Sequence, residues 1–530
     1  MKTLSILYHL ALADFYERAR RFSFLLTLAA VIFMGVLVNN GSFYLSLGSI
    51  DPNLFSSSYR GELNSAWIGT MTVLVLNLFL GLFGFYLVSD CIKRDLRTGV
   101  GQIIATTPIS RVEYLIGKWI SNCLVLYVLV LILAVAAAIM VLLQGKAAID
   151  PSALLLPFLA VALPFMTLVS ALAVVFESVP FFRGTVGNVL YFALWMGIGG
   201  PSIYKGGMGL PLLKDPLGID VFRASLYAGA NAAFPNEAIG SLGIAGFANA
   251  QYKVFNWSGL DWTPGIIAGR WLWAVLGLGL ILLSAIWFAR FDPSREGLKR
   301  ALVKPDEMKV GESASSQKKP PRRVLPNLSP LVSKLARANL FLGVLFAELR
   351  LLLNSRRWWW WLGVAGLNIA ILVCPLTTTK LYLLPIAWLW PLPIWSEMGN
   401  RERKNSTDQM VFSSARPVLR QFPAAWLAGV LVTMLFGIAG AVVFLINGDL
   451  LGMVGWIGGI IFIPTLALAL GVFSSGSRLF EVVYLFLWYM GPYQKIPIFD
   501  FITGAPQIYM MMSVGLLLLA AYWRGKQVRA

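Results

Sequence analysis

The sequence predicts an all-α membrane protein of about twelve transmembrane helices, built as two repeated halves of six. Three observations predict it. First, 58% of the 530 residues are hydrophobic and only 13% are charged, about half the charged share of an ordinary soluble domain. Second, apolar runs long enough to cross a bilayer recur along the chain. Third, the stretch 89–125 returns at 396–432 after a shift of 307 positions without a gap, with Ser89, Arg94, Gln102, Trp119, Leu124 and Val125 falling on Ser396, Arg401, Gln409, Trp426, Leu431 and Val432. Asp90 and Asp95 meet Glu397 and Glu402 there, and Thr106-Thr107 meet Ser413-Ser414. A period this long marks duplicated halves, since solenoid repeats are far shorter.

Residues 1–21 alternate Leu4, Leu7, Leu10, Leu12 and Phe15 with polar positions and end in Glu17, Arg18, Arg20 and Arg21. That pattern predicts an amphipathic helix in the membrane interface; a charged anchor to the first span is the plainer alternative. The acidic Asp14 and Glu17 do not suit the n-region of a cleaved signal peptide. Span 1 is expected at about 22–38, span 2 at 67–88, span 3 at 116–143, span 4 at 154–176, span 5 up to about 199, and span 6 at 266–288. The segment 200–264 is rich in Gly and Pro yet carries Phe222, Leu226, Tyr227 and Phe234, which predicts short helices on or dipping into the outer leaflet.

The chain divides into a first half over 1–290, a basic linker over 291–340 and a second half over 341–530. Within the linker, Gly311 to Pro321 has the composition of a disordered connection. In the second half, Trp358 to Trp361 read as an interfacial aromatic belt at the entry of span 7. Span 8, with Pro385, Pro391 and Pro393, is expected to be kinked, and spans 9 to 12 follow at about 424–446, 451–473, 479–490 and 508–523. Tyr191 to Gly197 of span 5 resembles Tyr484 to Gly491 of span 11.

The net charge of +18 fits the positive-inside rule better than nucleic-acid binding, for which no recognition module is present. The linker is strongly basic, whereas 200–264 holds four basic residues, Lys205, Lys214, Arg223 and Lys253. Both termini, the linker and both charged loops are therefore expected in the cytoplasm, and the chain in the plasma (inner) membrane. One histidine and three cysteines without ligand spacing give no metal site and no disulfide framework. No Walker A sequence and no catalytic constellation occurs, so the chain is expected to be no enzyme and to hold no cofactor of its own.

The first charged loop reads Arg97-Thr98-Gly99, then Ile104-Ala105-Thr106-Thr107-Pro108-Ile109-Ser110-Arg111, then Gly117-Lys118. This resembles the loop between spans 2 and 3 in ABC transporter permeases of the type-2 exporter family. The elbow helix, the six spans per half and the segment between spans 5 and 6 are similar to that family as well. The second copy departs from it, with Ser406-Thr407 for Thr-Gly and a turn Ser413-Ser414-Ala415-Arg416-Pro417. The resemblance implies a permease that exports a hydrophobic or amphipathic substrate, driven by a separate ATP-binding subunit, two copies of it, which hold the ATP and Mg. It also implies that Arg94, Asp95, Arg97, Gln102, Arg111, Arg401, Glu402, Arg403, Gln409 and Arg416 couple the loops to that subunit. Substrate is expected to pass between the halves, near Asn77, Phe79, Asn188, Trp195, Trp388 and Trp488. Most membrane tryptophans are structural, which is the plainer reading of those positions. The alternatives are a secondary transporter of the major facilitator type, which would need buried coupling carboxylates and a shorter loop, or a non-transporting scaffold or sensor.

Overall fold

In the computed structural model the described residues are 9, 12–17, 43–49, 58–144, 149–182, 184–204, 215–237, 239–246, 252–288, 291, 340–353, 358–405, 407–414, 417–474, 476–493, 499–502 and 506–529. They fall into two compact units, Met1–Lys309 and Val310–Ala530. Seven of the described helices are long and apolar enough to cross a membrane, and two shorter apolar helices, Val186–Ile198 and Trp360–Val373, accompany them. The expected span 1 lies outside the described residues.

In the first unit, residues 12–17 form a short helix. Helix α1 (Ser65–Val88) starts where Asn64 accepts the backbone N–H of Trp67 at 2.8 Å, an ordinary N-cap that satisfies one orphan donor. Helices α2 (Cys91–Arg97) and α3 (Val100–Thr106) form the charged loop. Between them Gly99 adopts φ +79°, a left-handed conformation open to glycine at little cost. Helix α4 (Arg111–Gln144) opens with a capping box: Ser110 N–H donates to Glu113 Oε2 at 2.7 Å, and Glu113 N–H donates to Ser110 Oγ at 3.2 Å. Helix α5 (Pro151–Ser178) has Asp150 as cap, Pro151 in its first turn and a π-helical turn at Phe158–Ala162. Helix α6 (Thr185–Tyr204), helix α7 (Ile219–Ala233) and helix α8 (Pro264–Ser284) complete the unit.

The all-α expectation is corrected here. Four strands, β1 (Phe43–Ser49), β2 (Ser58–Gly61), β3 (Ile239–Gly246) and β4 (Tyr252–Phe255), form one sheet in the order β3-β1-β2-β4. β1 runs antiparallel to β2 and β3, with Leu47 opposite Leu242, while β2 runs parallel to β4. These strands are short and rich in Gly and Ser, so their alternation is faint; pairing with segments far along the chain supplies what local preference does not.

Within 200–264, where short helices are expected, the structure places α7. Its N-terminal turn lies well inside the bundle: Asn77 Nδ2 donates to the Leu217 carbonyl at 2.8 Å, about 20 Å along α1 from its cap at 1.5 Å per residue. Gly218 (φ +82°) sits against Val161 of α5, where a Cβ would come within 2.2 Å of its side chain. Its other end packs Gly229 against Trp257 and Phe255 beside the sheet.

The second unit begins with α9 (Leu340–Leu353) and α10 (Trp358–Val373). Helix α11 runs over 376–389 through a π-helical turn at Thr379–Leu383. It stops before Pro391, so the kink expected in span 8 is a break, followed by α12 (Leu392–Trp395). The second charged loop holds α13 (Arg401–Lys404) and α14 (Asp408–Phe412). Then come α15 (Pro417–Ile446), α16 (Leu450–Ser474), α17 (Arg478–Trp488) with a π-helical extension over Tyr489–Tyr493, and α18 (Pro506–Arg529). Helix α16 approaches its neighbours through glycine: a Cβ on Gly455 would lie 1.4 Å from the Ile502 carbonyl oxygen, and one on Gly471 2.0 Å from that of Met398.

Candidate functional site

The first charged loop is seated from below by an apolar cluster. Cys91, Ile92, Ile104, Tyr114, Val174 and Ile281 are buried together with Phe288 and Phe291. The Phe291 ring lies so close to α3 that a Cβ on Gly101 would come within 2.9 Å of it. Glu177, at the end of α5, accepts the backbone N–H of Ile92 at 2.7 Å, a free donor at the start of α2. The loop is thus held as a rigid body against α4, α5 and α8.

Two of its charges, Arg94 and Asp95, are turned inward, while Lys93 is exposed. Arg94 is 6% exposed and Asp95 3%, so both face the interior of the first unit. Arg94 pairs with Asp14 of the N-terminal helix, with Glu17 at 3.3 Å and with Asp95 at 3.7 Å. Lys118 of α4 lies 3.0 Å from Asp14 and 2.8 Å from Asp95. Ser121 donates to Asp14 at 3.0 Å and Tyr114 to Asp95 at 2.7 Å. Two buried carboxylates face two buried cations, with hydroxyls filling the remaining acceptor sites. That is the arrangement in which buried charge is tolerated.

The second loop repeats this geometry. Arg401 donates to Glu348 of α9 at 3.0 Å, as Arg94 pairs with Asp14. Gln421 donates to Glu402 at 2.7 Å, as Tyr114 donates to Asp95. The loop residues (94 and 401, 95 and 402) and the neighbours Tyr114 and Gln421 are related by the 307-position shift, whereas Asp14 and Glu348 are 334 positions apart. Burial pushes the Glu348 carboxyl above the usual carboxylate range, and Arg401 opposes that. The fourth charge differs. The position of Lys118 is Ala425 in the second half, and Arg524 from α18 pairs with Glu402 at 3.4 Å instead.

What each loop shows to solvent is different from what it buries. On α2 and α3 the exposed side chains are Leu96 (46%), Val100 (41%) and Ile103 (67%), with Lys93, Gln102 and Thr106 beside them. Arg111 is half-buried at the start of α4. On the second loop Arg403, Gln409 and Met410 are exposed, while Arg401 and Glu402 are half-buried. The side chains of Arg97 and Arg416 lie outside the described residues.

The residues expected along a substrate path are bonded into their own units. Asn77 is fully buried on the Leu217 carbonyl. Trp195 Nε1 donates to the Leu78 carbonyl at 3.0 Å, and Tyr191 Oη donates to that of Gly81 at 2.5 Å. In the second unit Trp488 Nε1 donates to the Pro385 carbonyl at 2.7 Å, and Tyr484 Oη to that of Trp388 at 2.6 Å. The acceptors are again 307 apart (78 and 385, 81 and 388), and the donors share a shift of 293 (191 and 484, 195 and 488). Asn188 is buried and its carbonyl accepts from Tyr86 at 2.7 Å; Phe79 is half-buried. A further matched pair joins α4 to α5 and α15 to α16: Trp119 donates to the Thr167 carbonyl at 3.1 Å, and Trp426 to Thr465 Oγ1 at 2.8 Å.

Sequence reasoning missed Asp14, Glu348 and Arg524 as partners of the loops. It also missed a charged group at the deep end of α7, where Arg270 of α8 binds the Asp215 carbonyl and Asp220 lies 3.3 Å from Arg223. The spacing of α7 gave no signal for this, because Arg270 lies 55 residues beyond Asp215.

Residues 8–205 match the family model described as ABC-2 family transporter protein. No curated protein and no solved structure matches the chain. The matched stretch contains the Asp14 cluster, the first charged loop and the Tyr191 and Trp195 contacts. It is similar to the membrane permease component of such transporters, which pairs with ATP-binding subunits.

Proposed function

We propose that the chain is the membrane permease of an ATP-driven exporter, with two copies of a separate ATP-binding subunit that carry the ATP and Mg. The observation that carries this reading is the outward face of α2 and α3. A loop clamped by four buried charges presents Leu96, Val100, Gln102 and Ile103 on a rigid base. Side chains of that kind, fixed and apolar at the centre, are what a protein interface is built from. The inward charges transmit the load from that face to the N-terminal helix and to α4. The second loop offers Arg403, Gln409 and Met410 to a second copy.

The two halves arose by duplication in this reading. The matching contacts support it, since chance does not place the same Tyr and Trp donors on carbonyls separated by one common shift. The proposed cargo is hydrophobic or amphipathic and moves past α1 and α6 of the first half and past α11 and α17 of the second. Within those helices Trp195 and Trp488 serve to hold neighbouring helices together. The basic linker and loops support a plasma (inner) membrane orientation with both termini in the cytoplasm.

The test is co-purification. Ile103→Asp places a charge in the centre of the docking face without touching the buried cluster. An unpaired charge in a desolvated contact costs about 3 kcal/mol or more, so recovery of the ATP-binding subunit and stimulation of its ATPase are both expected to collapse. Undiminished recovery with Ile103→Asp would refute the assignment of this face.

A further inference from the structure

In the first half the loop carboxylate Asp95 is neutralised by Lys118, a residue of the helix that follows the loop. In the second half the same backbone position is Ala425, which supplies no ammonium. A small cleft stands at this place, lined by Glu348, Glu402, Phe412, Gln421, Ala425 and Arg524 among others. The second cation has come from the last helix of the chain. Arg524 is 5% exposed. It lies 3.4 Å from Glu402, donates to the Gly399 carbonyl at 3.2 Å, and has its guanidinium 5.2 Å from the centre of the Phe412 ring. It therefore touches the second loop before α13, on α13 and at the end of α14. Gln527, one turn further on, donates to the Val472 carbonyl at 2.9 Å and fixes the end of α18 beside it.

We propose that Arg524 is the positioning residue of the second loop: it substitutes for the missing Lys118 equivalent and makes the end of α18 a structural part of the docking apparatus. The two loops are then held by different helices. The first is tied to the helix that follows it, and the second to the C-terminal helix of the protein. The exchange is chemically sensible. A guanidinium offers several donors in a fixed fork, so one Arg reaches a carboxylate and a carbonyl at once, whereas an ammonium is a point charge. This inference rests on the docking reading only for its consequence in transport; the positioning itself is a property of the second unit.

The experiment compares the parent, Arg524→Ala, Arg524→Lys, and Arg524→Ala combined with Ala425→Lys, all as full chains in lipid nanodiscs. The first readout is tryptic cleavage at Arg403 and Lys404, followed by mass spectrometry of the fragments, without any ATP-binding subunit. Losing a charge-assisted hydrogen bond to a half-buried carboxylate frees the loop, so cleavage in Arg524→Ala is expected to rise about tenfold. Arg524→Lys is expected to give a smaller rise. Ala425→Lys in the Arg524→Ala background is expected to return cleavage to within about twofold of the parent. It gives Glu348 and Glu402 the ammonium that Lys118 gives Asp14 and Asp95 in the first half. A general loss of folding would not be reversed by a lysine at this one site. Unchanged cleavage in Arg524→Ala overturns the proposal, and so does a rise that Ala425→Lys leaves in place. If Arg524→Ala is not recovered from membranes, unchanged cleavage in Arg524→Lys overturns it equally. The second readout, recovery of the ATP-binding subunit, is expected to follow the first. If cleavage responds and is rescued while no variant or parent retains that subunit, the docking reading fails and the positioning role of Arg524 stands.

Discussion

Replacing Asp14 by Asn removes one charge from the first cluster and changes little else in shape. In the parent, Asp14 and Asp95 balance Arg94 and Lys118, and all four side chains are at most 6% exposed. The variant leaves two buried cations around one buried carboxylate, with Glu17 half-exposed at the edge. Breaking a buried pair by removing one partner costs about 3–5 kcal/mol. For a unit of this size that corresponds to a fall in the thermal midpoint of the order of 10 °C. The midpoint is read from the soluble fraction after heating in nanodiscs. The balance predicts more than the single effect: Asp14→Asn with Lys118→Met leaves one buried cation, Arg94, facing one buried carboxylate, Asp95, with Glu17 at the edge. The double variant is expected to recover about 1–3 kcal/mol relative to the sum of the single effects. A midpoint for Asp14→Asn within about 1 °C of the parent would refute the account, and so would strictly additive single effects.

Two further outcomes follow from contacts of known geometry. Trp195→Phe and Trp488→Phe each delete one buried N–H donor with its carbonyl contact, and each is expected to cost about 1–3 kcal/mol, the two being of similar size; thermal midpoints of the two variants check this. At the sheet, Glu237 accepts from Tyr59 and Lys253. Lys253 and Tyr59 hold its carboxyl below the usual glutamate range. A depressed carboxylate contributes stability above its unfolded pKa and loses it as pH falls through the folded value. Amide exchange in β2 and β4, corrected for intrinsic rates, is therefore expected to accelerate below about pH 4, and Glu237→Gln to abolish that dependence.

The sequence made the order of charge in the two loops legible, and with it the Tyr and Trp donors of the fifth and eleventh expected spans. It did not tell which way the charges face. Arg94 and Asp95 look the same in a row of letters whether they meet solvent, a partner or Asp14, and Asp14 stands 80 positions before Arg94. Helical periodicity cannot help, because α2 and α13 are about two turns long or less. The strands were hidden for a related reason. IGSLGIAG and FYLSLGS carry little alternation, and they pair with each other across α1 to α7 in the chain. In the sequence Arg524 is one more basic residue late in the chain; only its burial marks it as different.

The sheet also counts membrane crossings. β1 and β2 precede α1, while β3 and β4 follow α7, and hydrogen-bonded strands must share one side of a bilayer. The number of crossings between them is therefore even. Helices α1, α4 and α5 each have the length and hydropathy to cross, which makes three. Helix α7 is not among the helices long and apolar enough to cross, so it adds none. The remaining helix, α6, has an apolar stretch of only Val186–Ile198, short of a full span on its own. Parity requires it to cross nevertheless. The shortest apolar helix of the first unit is thus assigned its passage by a strand pair that lies outside the helices altogether.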